Sequence, residues 1–446
     1  MSEFDSLSRE ELVDMILEQR ELITMLHNEV EDLRGKISGG SGNAPATPDW
    51  VRPNRKERRA AERKKRKQSF VRKREMPSRR LEHALSTCPD CGRPLTGGTV
   101  KRVRQVIEIP TPAVEIVEHR FIARRCGYCG KTYVPKAGLL RQHVVGKHRV
   151  GVNLMSMVAY LSTAGRMTKR TIQGFLKAVY GVHLGLGEIS KVLHTVADCG
   201  KEERGKLLEV ARGSPYINAD ETGWREDGLN GYIWTFSTKD VRYFVYRRSR
   251  AGKIAKETIG DDYEGVVVTD CYAGYNQVVA DRQVCWAHLA RDLHKLKEKN
   301  AKDADVIAWT DAVKSVYDRA KRFRSRNPEH RKWQRLLFEE EVQTLVERHA
   351  CSDSPQQVLA KRFLDHLQEL FMFVEYPDVP ADNNGAERSL RPCVIARKVS
   401  GGTRSERGSE TKMTLLSLFG TWQARRLDPL LACRLLLTGK SLLFPS

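Results

Sequence analysis

The 446-residue chain has no apolar run approaching the ~20 residues that a bilayer crossing needs, which excludes membrane spanning. Its opening residues, MSEFDSLSREEL, lack the basic stretch and apolar core of a secretory signal, so a cytoplasmic protein is expected. Acid is also in short supply. The 56 Asp and Glu face 77 Lys and Arg, and the resulting charge of +21 makes a field suited to polyanions such as nucleic acid or anionic lipid. In a reducing compartment the ten cysteines are not expected to form disulfides, and regular spacing among them points to metal. Hydrophobic residues at 40% and charged residues at 30% are globular values, which excludes wholesale disorder, collagen and a disulfide miniprotein. The length allows about three domains.

Residues 8–37 contain no Pro and place Leu12, Ile16, Gln19, Ile23, Leu26, Val30, Leu33 and Ile37 at alternating steps of four and three. Ile and Val at a with Leu at d favour a parallel two-stranded coiled coil, in which Gln19 would set the register. An amphipathic helix packed on its own chain is the competing reading. The Gly/Ser/Pro-rich stretch 38–48 is a linker. Directly after it, between Arg52 and Arg74, lie 13 Lys or Arg against only Glu57 and Glu62, with Arg63, Lys64, Lys65, Arg66 and Lys67 in one run. Such a segment cannot bury a core and is expected to order on a polyanion; a solvated charge run is the plain alternative.

Cys88, Cys91, Cys126 and Cys129 form two Cys-x-x-Cys pairs, each followed by Gly. Four thiolates suit one tetrahedral Zn²⁺, and Gly92 and Gly130 permit the positive-φ turn that brings backbone N–H groups to the sulfurs. The 34 intervening residues read as two β-rich runs, 100–109 and 114–123, turned at Pro110-Thr111-Pro112, so a zinc ribbon carrying a hairpin is expected. A redox site would need only one pair in a βαβ setting.

Residues 151–200 read as helices broken near Gly165 and at 181–187, with Thr168 capping the second. A helix-turn-helix DNA-binding domain and a plain packing subdomain both fit. Strands are expected at 216–219, 231–238, 241–248, 265–270 and 282–285, with a helix over 251–259, which is the order of an RNase H-like α/β sheet. Helical spacing then dominates 286–374, 382–397 and 406–439.

Asp220 and Asp270 stand at the ends of apolar strands, where a scaffold holds side chains over an open edge; Glu221 competes with Asp220. Glu387 falls in the first turn of a helix, where the dipole alone would favour an acid. Three acids brought together repel unless cations lie between them, as in two-metal sites where paired Mg²⁺ or Mn²⁺ ions drive phosphoryl displacement.

The stretches Asn218-Ala-Asp-Glu-Thr-Gly-Trp-Arg225, Val-Val-Val-Thr-Asp-Cys-Tyr-Ala-Gly-Tyr at 266–275, Cys285-Trp-Ala-His288, Asn383-Asn-Gly-Ala-Glu-Arg-Ser-Leu-Arg-Pro392 and Ala396-Arg-Lys-Val-Ser-Gly-Gly-Thr-Arg404 resemble transposases of the insertion sequence 66 family. The resemblance implies a multidomain α/β chain. Its segments are a coiled coil over 1–37, a basic linker over 38–80, a Cys₄ zinc domain over 81–140 and a helical, helix-turn-helix-like domain over 141–212. An RNase H-like catalytic core follows over 213–295 and 379–426, with a helical insertion at 296–378 and a C-terminal helix at 427–446. It further implies that Asp220, Asp270 and Glu387 hold two Mg²⁺ (or Mn²⁺), and it prefers Asp220 to Glu221. Cys285 and His288 are expected as structural support near the site. Arg397, Lys398 and Arg404, in the Gly-bearing segment after Glu387, are expected to contact scissile-strand phosphates; a solvated loop is the plain alternative. The implied partners are transposon-end and target DNA, further copies of the chain and small accessory proteins, in a nucleoid-associated location. The implied reaction is end cleavage followed by 3′-hydroxyl attack on target DNA. A metal-dependent nuclease and a non-catalytic DNA-binding protein are the rivals.

Overall fold

The computed structural model describes residues 76–107, 113–135, 137–140, 142–146 and 148–444. The heptad helix and the Arg63 to Lys67 run lie outside them. Residues 1–108 and 109–446 form two units, each described by itself. In the first, the described residues carry one isolated bridge, Thr87 with Pro94, around the Cys88 turn. The second contains all the strands and helices of the described residues.

Short strands β1 (Arg124–Arg125) and β2 (Thr132–Tyr133) pair antiparallel around Cys126 and Cys129. The expected strands at 100–109 and 114–123 are absent among the described residues. Val100, Val106, Ile116 and Ile122 stand exposed there, and a two-stranded ribbon with no layer over its apolar face gains too little burial to hold itself together.

Four helices follow: α1 (Val152–Thr163), α2 (Lys169–Tyr180), α3 (Leu186–Cys199) and α4 (Lys201–Arg212). The Thr168 side chain accepts from Thr171 N–H, as the capping pattern predicts, and Gly181 ends α2 in the left-handed region. The chain then makes β3 (Tyr216–Glu226), β4 (Leu229–Ser237), β5 (Arg242–Arg247), α5 (Lys253–Ile259), β6 (Val266–Thr269) and β7 (Asp281–Val284). These strands form one mixed sheet in the order β5-β4-β3-β6-β7, with β3, β4 and β5 antiparallel and β3, β6 and β7 parallel. Strand β3 runs six residues beyond its expected end at Asp220. It turns into β4 at Asp227-Gly228, whose φ values of 51° and 80° match the hairpin turn that Asp-Gly favours.

Helices α6 (Trp286–Lys299), α7 (Ala304–Arg322), α8 (Pro328–Ala350), α9 (Gln357–Asp365) and α10 (Met372–Glu375) form a helical group after β7. Its core is built around Trp286, which stacks on Tyr317 at 4.5 Å. The chain returns through α11 (Asn384–Ser400), α12 (Glu406–Ala424) and α13 (Pro429–Leu437).

Alternation along the strands sorts their side chains onto two faces. Ile217, Ala219, Trp234, Phe236 and Val267 pack with α5 and Tyr275 on one. Trp224, Ile233, Phe244 and Tyr246 pack with Leu390 and Cys393 of α11 and Met413 and Leu416 of α12 on the other. Helix α12 also closes the core of the 152–212 helices, through Leu415, Leu418, Phe419 and Trp422, and α13 joins it there. The segments expected separately at 141–212 and 427–446 therefore share one core with α12. Among the described residues no helix is long and apolar enough to cross a membrane.

Candidate active site

Strand register brings the first two acids together. Tyr216, Ile217 and Asn218 of β3 lie opposite Val266, Val267 and Val268 of β6, so two further steps set Asp220 level with Asp270. The parallel pairing stops there while β3 continues with β4 alone, so Asp220 lies mid-strand yet at the open end of the parallel ladder. Parity also separates Asp220 from Glu221. Asp220 shares the face of Asn218 and Trp224, towards α11, whereas Glu221 shares that of Ile217 and Ala219. There Glu221 accepts from Arg250 Nε at 2.8 Å and from the Tyr275 hydroxyl at 2.6 Å. Backbone donors fix both aspartates: Glu221 N–H donates to Asp220 Oδ1 at 2.8 Å and Tyr272 N–H to Asp270 Oδ1 at 3.0 Å.

Glu387 arrives in the first turn of α11, whose entry is clamped to the two strand ends by buried polar groups. Asn383 Nδ2 donates to the Ala219 carbonyl at 2.8 Å, and Asn218 Nδ2 donates to Asn383 Oδ1 at 3.0 Å. Asn383 N–H donates to Cys285 Sγ at 3.1 Å, and Cys285 N–H donates to the Thr269 carbonyl at 2.8 Å. Asn383, Asn218 and Cys285 are buried, so their bonds are not diluted by water. His288 Nε2 stands 3.7 Å from Glu387 Oε1, an electrostatic contact longer than a hydrogen bond. By sequence Asn218 and Asn383 stand out only as members of longer motifs. Asn-Asn-Gly ahead of a helix is the visible signal of Asn383, since it reads as a turn and cap, whereas Asn218 within its strand has none.

The three acids are all half-buried. Asp220 is pushed up to about 7, first by burial, then by the Glu221 charge, with Asp270 and Glu387 adding to it and the Glu221 N–H opposing. Acids from three distant segments thus act on one another. Among the described residues, however, no group of three or more His, Cys, Asp or Glu is placed to hold a metal ion by itself. Asp220, Asp270 and Glu387 therefore form no ready-made cage by themselves. The donor chemistry still fits Mg²⁺ at the acids, because that ion is commonly held by one or two carboxylates and completed by substrate phosphates.

Each cysteine pair forms the same turn. Gly92 N–H donates to the Cys88 carbonyl and Gly130 N–H to the Cys126 carbonyl, both at 2.9 Å, with φ of 69° and 68°. Backbone N–H groups of Cys91 and then Asp90 hold the Cys88 thiol below its ordinary value, and those of Cys129 and then Tyr128 do the same for Cys126. Each turn alone therefore favours a thiolate.

The expected phosphate contacts divide. Arg397 and Lys398 lie in the last turn of α11 and not in a loop. Arg397 Nη1 donates to the Gly223 carbonyl, tying α11 to β3, so it is already engaged within the chain. Lys398 and Arg404 are exposed. The segment carrying Arg404 is stitched to β3 through Thr403, which donates to the Arg225 carbonyl and accepts from Asp227 N–H.

A mixed sheet with clustered carboxylates at its open edge, roofed by helices, defines an α/β protein with an acidic candidate active site. Comparison with known proteins then gives the family. The chain belongs to the family described as Transposase IS66 family, whose model matches residues 147–411. Three curated relatives come from Sinorhizobium fredii and carry the names uncharacterized protein y4jO, y4jD and y4hP. The first is 28% identical over 35% of this chain and 47% of its own length. The second is 24% identical over 58% of this chain and 56% of its own length, and the third 22% identical over 77% and 68%. The chain spans about half the length of the first two.

Proposed function

We propose that the chain is a DDE transposase of a bacterial insertion sequence, binding terminal inverted repeats and catalysing strand cleavage and transfer on an RNase H-like core. The convergence of Asp220, Asp270 and Glu387 carries this reading: the charges of Asp270 and Glu387 add to burial and to Glu221 in disfavouring an ionised Asp220, a cost that divalent cations would relieve. In this reading the three carboxylates hold two Mg²⁺ or Mn²⁺ ions, which when bound would activate the attacking oxygen and stabilise the leaving one. The chain's part is placement. Backbone donors from Glu221 and Tyr272 fix the two aspartates, and the Asn218–Asn383 clamp holds the α11 entry so that Glu387 meets them.

Charge supports DNA as the substrate. Besides the 52–74 arm, residues 119–187 contain 12 Lys or Arg and no Asp or Glu. Zn²⁺ is assigned to the cysteines at 88, 91, 126 and 129 on the thiolate-favouring turn that each pair forms. Self-association through the N-terminal heptads and small accessory proteins belong to the same reading. A strand-transfer assay with end-labelled transposon DNA and Mg²⁺ or Mn²⁺ tests it. Joined products that vanish in Asp270→Asn support the reading, whereas cleavage without joining would make the chain a nuclease.

A further inference from the structure

Arg250, between β5 and α5, has no role in the reading above, yet few half-exposed arginines are held so firmly. Glu221 Oε1 accepts from its Nε at 2.8 Å and its Nη2 at 2.6 Å. Its guanidinium carbon lies 4.1 Å from the centre of the Tyr272 ring, and the Tyr272 hydroxyl donates to the Arg250 carbonyl at 2.9 Å. Glu221 is itself fixed by Tyr275, and its side chain is 3% exposed against 45% for Arg250. One edge of the guanidinium is therefore occupied, and the Tyr272 ring and, at 6.0 Å, the Tyr232 ring lie over its plane. Nη1 makes no hydrogen bond to any described residue.

The two residues that hold Arg250 also hold the acids. Glu221 gives its side chain to Arg250 and its N–H to Asp220; Tyr272 gives its ring to Arg250 and its N–H to Asp270. The guanidinium is thus tied to both aspartates through rigid backbone, while Asp220, Glu221, Asp270 and Glu387 make the neighbourhood negative and hostile to a phosphodiester. A planar fork suits phosphate oxygens, and one already immobilised loses little entropy on binding. We propose that Arg250 is a phosphate-binding residue, whose free Nη1 edge donates to a backbone phosphate of the DNA strand lying at the acid cluster. The inference rests on the proposed function, which supplies that strand.

The test uses the full-length protein and its Arg250→Ala, Arg250→Lys and Asp270→Asn variants. The salt dependence of DNA binding, strand transfer and thermal unfolding are measured for each. Arg250→Ala is expected to reduce the slope of log K against log[salt] by about one and to lower transfer about 100-fold, with a lowered melting temperature because the buried Glu221 loses its cation. Arg250→Lys should restore the slope and leave transfer low, because an ammonium cannot reproduce the fork. An unchanged slope in Arg250→Ala overturns the inference, as does full transfer by Arg250→Lys. If Arg250→Ala does not fold, the lysine variant decides. Asp270→Asn separates the two ideas: transfer that survives it sinks the transposase reading, while the salt slope, which needs no cutting, still judges Arg250.

Discussion

Replacing Asp220 by Asn should make the cation-free protein more stable while ending its chemistry. Burial and three neighbouring carboxylates raise this acid from an ordinary 3.8 to about 7, so folding takes up a proton between those values. Stability therefore falls as pH rises through that window, and the whole penalty is present above about pH 7. The interval corresponds to an upper limit of about 4 kcal/mol. Relaxation and solvent reduce it, and a gain of roughly 1 to 3 kcal/mol, or roughly 1 to 5 °C, is expected for the variant at pH 8. Asn keeps an oxygen for the Glu221 N–H, so that bond with Asp220 Oδ1 has a replacement. Near pH 4 the folded acid is protonated and the unfolded one about half so, and most of the gain should vanish. Thermal unfolding in EDTA at both pH values measures it, and adding Mg²⁺ or Mn²⁺ should stabilise wild type alone. Equal melting temperatures at pH 8, or an equal gain at pH 4, would refute the argument that burial and neighbouring charge penalise an ionised Asp220.

Asn383→Ala removes the side chain between Ala219 and Asn218, leaving buried polar groups unpaired; a loss of about 2 to 4 kcal/mol is expected by denaturant titration, with strand transfer lost even where the protein stays folded. Arg397→Ala should lower the melting temperature and leave the salt slope of DNA binding unchanged, because its guanidinium bonds the Gly223 carbonyl. Lys398→Ala with Arg404→Ala should do the reverse, and a reduced slope in Arg397→Ala would restore that residue to the DNA interface. Cys129→Ser should reduce bound zinc, read by elemental analysis of the purified protein, from one equivalent to near none, and undiminished zinc would detach this turn from the metal.

Much of this site can be read from the chain alone, and the remainder is hidden for physical reasons. Three consecutive valines mark β6 as a strand buried on both faces, so Asp270 stands out at its end, and Thr168 announces α2 because only a helix start needs that side-chain acceptor. The end of β3 is harder. Asp220-Glu221-Thr222 reads as a turn, and only the Asp227-Gly228 pair farther on shows that the hairpin lies there. Alternation puts Asp220 and Glu221 on opposite faces, but which face receives α11 is decided by Asn383, more than 160 residues away, reaching back to Ala219. The same distance conceals the core shared by α3 and α12, where Leu193 and Val196 belong with Leu415 and Leu418. Arg250 shows the limit most plainly. Nothing in Arg-Arg-Ser-Arg distinguishes the last arginine from its neighbours until the fold brings Glu221 and Tyr272 to it. Acids at strand ends can be found by local pattern, whereas the groups that orient them are polar, singly placed and useful only through partners far along the chain.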